Sequence, residues 1–242
     1  MVAASLLMLR KGAHLMIPKN KIKRIKSNIT RDCANCNGDS CSKCISKACR
    51  IDNYASANIP SSYWLLAFKD FEGDSKFYEF VTCVLKDIDK AYDNGYSYLF
   101  TGGLGTGKTY AACSILKMSI TLGYASEYTT MATIINSILS KDVDTSSYIK
   151  NLIMCDFLVI DEFDPRWIFP SEKAEQMFGS SLEHILRMRF QNATPTILCS
   201  NAPDVDTVLS GKFAKAFKSL RARHLKMICV GGVDFRRRDK DD

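Results

Sequence analysis

Gly102-Gly103-Leu104-Gly105-Thr106-Gly107-Lys108-Thr109 decides the reading of this chain, because it fits G-x-x-x-x-G-K-[ST] between a strand-like and a helix-like stretch. Residues 96–101 read as the strand and residues 108–122 as the helix. Glycines let the backbone turn with φ above zero and aim successive N–H groups at phosphate oxygens, while the following helix presents its positive end to the same anion. Lys108 is then expected to reach the β- and γ-phosphates, and the Thr109 hydroxyl to sit on Mg²⁺.

Phosphate binding alone leaves hydrolysis open, so a second acidic site is needed. Phe157-Leu158-Val159-Ile160 is a continuous apolar run, as expected of a parallel strand covered on both faces, and it ends in Asp161-Glu162. Asp161 at the strand's carboxyl end is placed to join the Mg²⁺ shell. Its neighbour Glu162 is placed to orient or deprotonate an attacking water. Thr196-Ile197-Leu198-Cys199-Ser200-Asn201 is another apolar strand ending in polar residues. Open α/β sheets put their ligand groups at such ends, which makes Asn201 a candidate for the γ-phosphate or the water. An Asn before Ala202-Pro203 also initiates turns, so that reading stays open.

Five of the ten cysteines lie in residues 33–49. The first four, Cys33, Cys36, Cys41 and Cys44, read C-x₂-C-x₄-C-x₂-C, a metal-site signature in a segment with no apolar core of its own. Zn²⁺ would supply the missing folding free energy. Cys49 can replace Cys41 or Cys44, four thiolates also suit an iron–sulfur cluster, and disulfides or unligated thiols are the remaining readings. The remaining cysteines, Cys83, Cys113, Cys155, Cys199 and Cys229, fall within apolar patterns and read as small buried residues, a usage that suits a reducing cytoplasm.

With 242 residues, 46% of them hydrophobic, the chain can bury one good core and carry a small appendage. The expected division is a basic segment over residues 1–31, a cysteine-rich module over 32–53, a linker over 54–62 and the main domain over 63–242. The net charge of +7 is concentrated towards both ends. Lys19, Lys21, Lys23, Arg24, Lys26 and Arg31 lie in a stretch without acidic residues. It reads as a solvated, mobile segment or as a contact for nucleic acid or an acidic partner. Residues 1–9 make a poor signal peptide, and no run approaches the roughly 20 apolar residues that span a bilayer, so no membrane partner is expected.

Further elements are expected as a helix over residues 77–92, a strand over 124–128, a helix over 131–139, a longer helix over 173–190 and a last strand over 227–230. Alternating strands and helices imply an α/β fold with a parallel sheet flanked by helices. Trp167 and Phe169, after the acid pair, either stack on single-stranded bases or pack on the long helix. His14, His184 and His224 lack ligand spacing.

These motifs together resemble the AAA+ ATPases of the bacterial and phage helicase-loader type, DnaC/DnaI-like, with the transposition helper IstB as a close relative. The resemblance runs over residues 59–236. It rests on Ile59-Pro60-Ser61-Ser62-Tyr63, Tyr98-Leu99-Phe100-Thr101-Gly102, Leu158-Val159-Ile160-Asp161-Glu162, Arg189-Phe190, Pro195 to Asn201, and Gly232-Val233-Asp234-Phe235-Arg236. It implies an AAA+ P-loop domain that binds ATP and Mg²⁺ and hydrolyses ATP. Asn201 would be the sensor-1 residue. Arg221, with Arg223 as its rival, would reach the neighbouring subunit's site and so make ATP sites the points of self-association. The resemblance further implies a replicative hexameric helicase as partner, delivery of that helicase onto single-stranded DNA, and docking through the small metal-binding module. An IstB-like helper of DNA transposition and a nucleotide switch with little turnover stay open at this stage.

Overall fold

The computed structural model describes residues 17–34, 36, 41–140, 144–164, 171–210, 224–232 and 234. Five parallel strands form one sheet: β1 (Ser97–Thr101), β2 (Ser126–Thr130), β3 (Phe157–Asp161), β4 (Thr196–Cys199) and β5 (Leu225–Cys229). Their spatial order is β2-β3-β4-β1-β5. The chain therefore leaves β1 for the far edge, returns strand by strand to lie beside it, and finally adds β5 on its other flank. That return makes the carboxyl end of β1 a topological switch point, where open sheets bind ligands.

Strand side chains alternate between two apolar layers, which is why the sequence shows unbroken apolar runs. Tyr98, Phe100, Tyr128, Phe157, Val159, Ile197 and Cys199 enter one core with the helices α2 (Ser42–Ser56), α3 (Ser75–Lys86), α4 (Ile88–Asp93) and α5 (Lys108–Thr121). Leu99, Leu158, Ile160 and Leu198 enter the other, beneath α6 (Met131–Leu139), α7 (Thr145–Met154), α8 (Glu172–Gln191) and α9 (Val205–Ser210). Helix α5 buries Ala111, Ala112, Cys113, Ile115 and Leu116, so it sits centrally under the sheet rather than on the surface.

Several expectations need correction. The helix expected over residues 77–92 is two helices, because Asp87 leaves helical geometry at φ −140° and accepts from the Lys90 amide at 3.3 Å to start α4. The basic stretch is a helix, α1 (Lys19–Arg31), whose Ile22, Ile25 and Ile29 pack half-buried against the first core. Lys26 pairs with Asp52 of α2. Residues 54–60, expected within a linker, are packed: Ala57, Asn58 and Ile59 are buried, and the Tyr128 amide donates to the Ala57 carbonyl at 2.9 Å. Cys113 and Cys199 are buried as expected, but Cys83 and Cys229 are exposed and Cys155 is intermediate. Among the described residues no helix is long and apolar enough to cross a membrane.

Candidate functional site

The loop from Gly102 to Gly107 joins β1 to α5 at the switch point. Its first and last glycines are dictated by space as well as by dihedrals. Gly102 has φ +131°, and a Cβ there would lie 2.3 Å from the Val230 main-chain oxygen at the end of β5. Gly107 has φ +91°, and a Cβ there would lie 2.3 Å from the Phe71 ring. Between them Gly103 and Leu104 are exposed, Gly105 is intermediate, and Thr106 is buried with its hydroxyl donating to the Gly103 carbonyl at 3.0 Å. Helix α5 begins at Gly107 without a side-chain cap, unlike α3, α6, α7 and α8, which are capped by Asp74, Thr130, Asp144 and Ser171. Its first-turn amides thus face the loop mouth, as an anion site requires.

Lys108 is buried, and its Nζ donates to the carbonyls of Gly102 at 2.9 Å and Gly103 at 2.6 Å. The ammonium therefore lies inside the loop. Thr109 follows, half-buried in the first turn of α5.

The neighbouring strand ends are stitched to this loop by main-chain bonds. Gly102 donates to Ala202 at 2.9 Å, Ser200 to Phe100 at 2.8 Å, and Phe163 to Cys199 at 2.8 Å. Asp161 is buried at the end of β3, with one carboxylate oxygen accepting from the Tyr128 hydroxyl at 2.7 Å and the other from the Glu162 amide at 2.8 Å. Burial, with the Asp161 charge adding, pushes the thiols of Cys113 on α5 and Cys199 on β4 well up. Glu162 is exposed and sits in the left-handed region at φ 54°, a costly conformation for a residue with a side chain. Asn201, one residue beyond Ser200, is exposed at the same end of the sheet. A buried carboxylate, an ammonium and uncapped amides around one strand switch suit a triphosphate and its Mg²⁺.

The cysteine cluster gathers Cys33 and Cys36 after α1, Cys41 at the N-cap of α2 and Cys44 in the first turn of α2. The sulfurs of Cys33, Cys36, Cys41 and Cys44 all lie within 4.8 Å of one another. Closest approaches are 3.9 Å for Cys33 and Cys41, 3.6 Å for Cys36 and Cys44, and 3.7 Å for Cys41 and Cys44. A tetrahedral ion with metal–sulfur bonds of about 2.3 Å needs sulfur edges of about 3.8 Å. The donor set fits one such ion. Contact with the Cys33 thiol, with burial adding, pushes the Cys44 thiol up to about 12, while the Cys44 amide draws Cys41 down. Cys49 is exposed on α2, outside the group.

Sequence reasoning missed three contributors. Tyr128 looked like an ordinary core strand residue. Phe71, packed on Gly107, belongs to an aromatic group with Phe68, Tyr78 and Tyr110 at centroid distances of 5.1 to 6.3 Å. Arg189, beside Phe190 in the sequence, is fully buried. It donates to the carbonyls of Leu152, Ile153, Cys155, Asp156 and Pro195 at 2.6 to 3.3 Å, fastening the end of α7 to α8 and β4. Arg221 and Arg223, with Lys212, Lys215, Lys218 and the run from Arg236, lie outside the described residues, as do Trp167, Phe169, His14 and residues 1–9.

Comparison with solved structures agrees with this architecture. The crystal structure of the DnaC helicase loader superposes with a TM-score of 0.59 at 14% identity, covering 71% of this chain and 100% of that one. The chain shares the fold of that structure. DnaI matches this chain with a TM-score of 0.55 at 17% identity, over 72% of it and 93% of DnaI. The replication initiator DnaA bound to AMPPCP and single-stranded DNA gives 0.55 at 17% identity, the chain spanning 51% of that structure. No family model and no curated protein matches the sequence.

Proposed function

We propose that this AAA+ chain is an ATP-dependent loader that delivers a replicative ring helicase onto single-stranded DNA. The observation that carries the reading is the convergence of Lys108, Asp161 and Asn201 at adjacent strand ends of a fold similar to that of DnaC and DnaI. In this reading the loop amides and the N-terminus of α5 bind the phosphates, and Lys108 exchanges the Gly102 and Gly103 carbonyls for phosphate oxygens. Thr109 and Asp161 hold Mg²⁺, Glu162 orients water, and Asn201 reports on the γ-phosphate. Bound Mg·ATP supplies the phosphoanhydride whose cleavage resets the protein. Arg221 acts on a neighbour's site, so that nucleotide drives self-association. Cys33, Cys36, Cys41 and Cys44 hold Zn²⁺ in a module that docks on the helicase, in the reducing cytoplasm.

A pull-down of the tagged chain from its native cell, with ATP and Glu162→Gln to trap the bound state, tests this. Capture of a ring helicase supports the loader. Capture of a transposase, or of DNA alone, overturns it in favour of an IstB-like helper.

A further inference from the structure

Tyr128 is the third residue of β2, in register with Val159 of β3, and its ring enters the core shared with α5. It is 5% exposed, so the ring alone accounts for its packing. The hydroxyl is a separate matter. It donates to Asp161 Oδ2 at 2.7 Å, while the Glu162 amide donates to Oδ1 at 2.8 Å. With one fixed donor on each oxygen, the carboxylate plane has no freedom to rotate. The donor on Oδ2 comes from a different strand, two residues back from Thr130, the register partner of Asp161.

Tyr128 is itself held from the sheet's outer edge. Its amide donates to Ala57 at 2.9 Å, and next to it Glu127 accepts from the Asn58 side chain at 2.6 Å. A phenylalanine would fill the same apolar volume, so the polar atom needs another explanation.

We propose that Tyr128 is a positioning residue, its hydroxyl setting the orientation in which Asp161 meets Mg²⁺. The proposal rests on the reading of Asp161 as part of the Mg²⁺ shell. Mg²⁺ demands near-ideal octahedral geometry from its few protein ligands, and residues hydrogen-bonded behind a metal ligand typically change metal affinity 10- to 100-fold when removed.

The test uses the full chain carrying Tyr128→Phe and a fluorescent ATP analogue, titrated with Mg²⁺ and repeated in EDTA. The expected result is an affinity in EDTA within about two-fold of the unsubstituted chain and a Mg²⁺ midpoint for tighter binding raised about 10-fold. An unchanged midpoint overturns the proposal. Equal weakening with and without Mg²⁺ also overturns it, because a purely structural hydroxyl would act that way. Asp161→Asn separates the role of Asp161 from that of Tyr128. If it keeps the normal Mg²⁺ midpoint, the Asp161 assignment falls and takes the Tyr128 role with it. If it abolishes the Mg²⁺ effect while Tyr128→Phe leaves the midpoint in place, only the Tyr128 role falls.

Discussion

Lys108 Nζ donates to the Gly103 carbonyl at 2.6 Å, so the cation that would hold phosphate is held by the loop itself. Binding then exchanges one set of oxygens for another. A hydrogen bond to a charged group contributes about 1.5–3 kcal/mol, and Lys108→Ala loses more than one, so ATP affinity should fall by about 100-fold or more. Calorimetric titration checks this, and normal affinity would remove the phosphate-loop assignment.

Gly107→Ala is expected to hurt twice. Its φ of +91° strains any residue with a Cβ, by about 1–2 kcal/mol, and the new methyl meets the Phe71 ring. Melting curves of Gly107→Ala alone and with Phe71→Leu separate the terms. Only the steric part should return in the double substitution.

Arg189→Met removes a buried guanidinium from five main-chain acceptors. The orphaned carbonyls include the last turn of α7, whose negative dipole end the cation also balances. The cost should be about 3 kcal/mol, seen as a drop of about 10 °C in Tm. Nucleotide affinity, measured below the transition, should change little.

Replacing Cys33 and Cys36 with Ser should release one metal equivalent per chain by elemental analysis, whereas Cys49→Ser should release none. Cobalt substitution offers a second readout, since tetrahedral thiolate coordination gives intense charge-transfer bands in the unsubstituted chain. An unchanged metal content in the double variant would eliminate the four-sulfur site.

What the sequence disclosed follows from physical range. The strand–loop–helix unit around Lys108 and the strands were legible because a glycine spacing and an apolar run on both faces are local properties. Helix α1 was obscured by its six basic residues, although Ile22, Ile25 and Ile29 already had helical spacing. The break at Asp87 hid because the apolar period runs on through it, even though an Asp before Ile88 is a capping signal. The cysteine spacing pointed to a metal site, but only the sulfur positions exclude Cys49 from the group. Neither the Tyr128 contact with Asp161 nor the carbonyls chosen by Arg189 could be read at all. They depend on which strands lie side by side, and no local pattern carries that.

Helix α2 bears Cys44 in its first turn and Tyr54 in its last, and Ala57 just beyond it bonds to β2. Its 15 residues make a rod of about 22 Å. A tether of that many flexible residues would offer a docked partner every heading at a modest effective concentration. A rod rooted in the core offers one. Whatever seats on the cysteine end is presented with a fixed bearing to the loop that carries Lys108, so lengthening the arm by one residue, which swings its tip by about 100°, would misdirect a docked partner without weakening its grip.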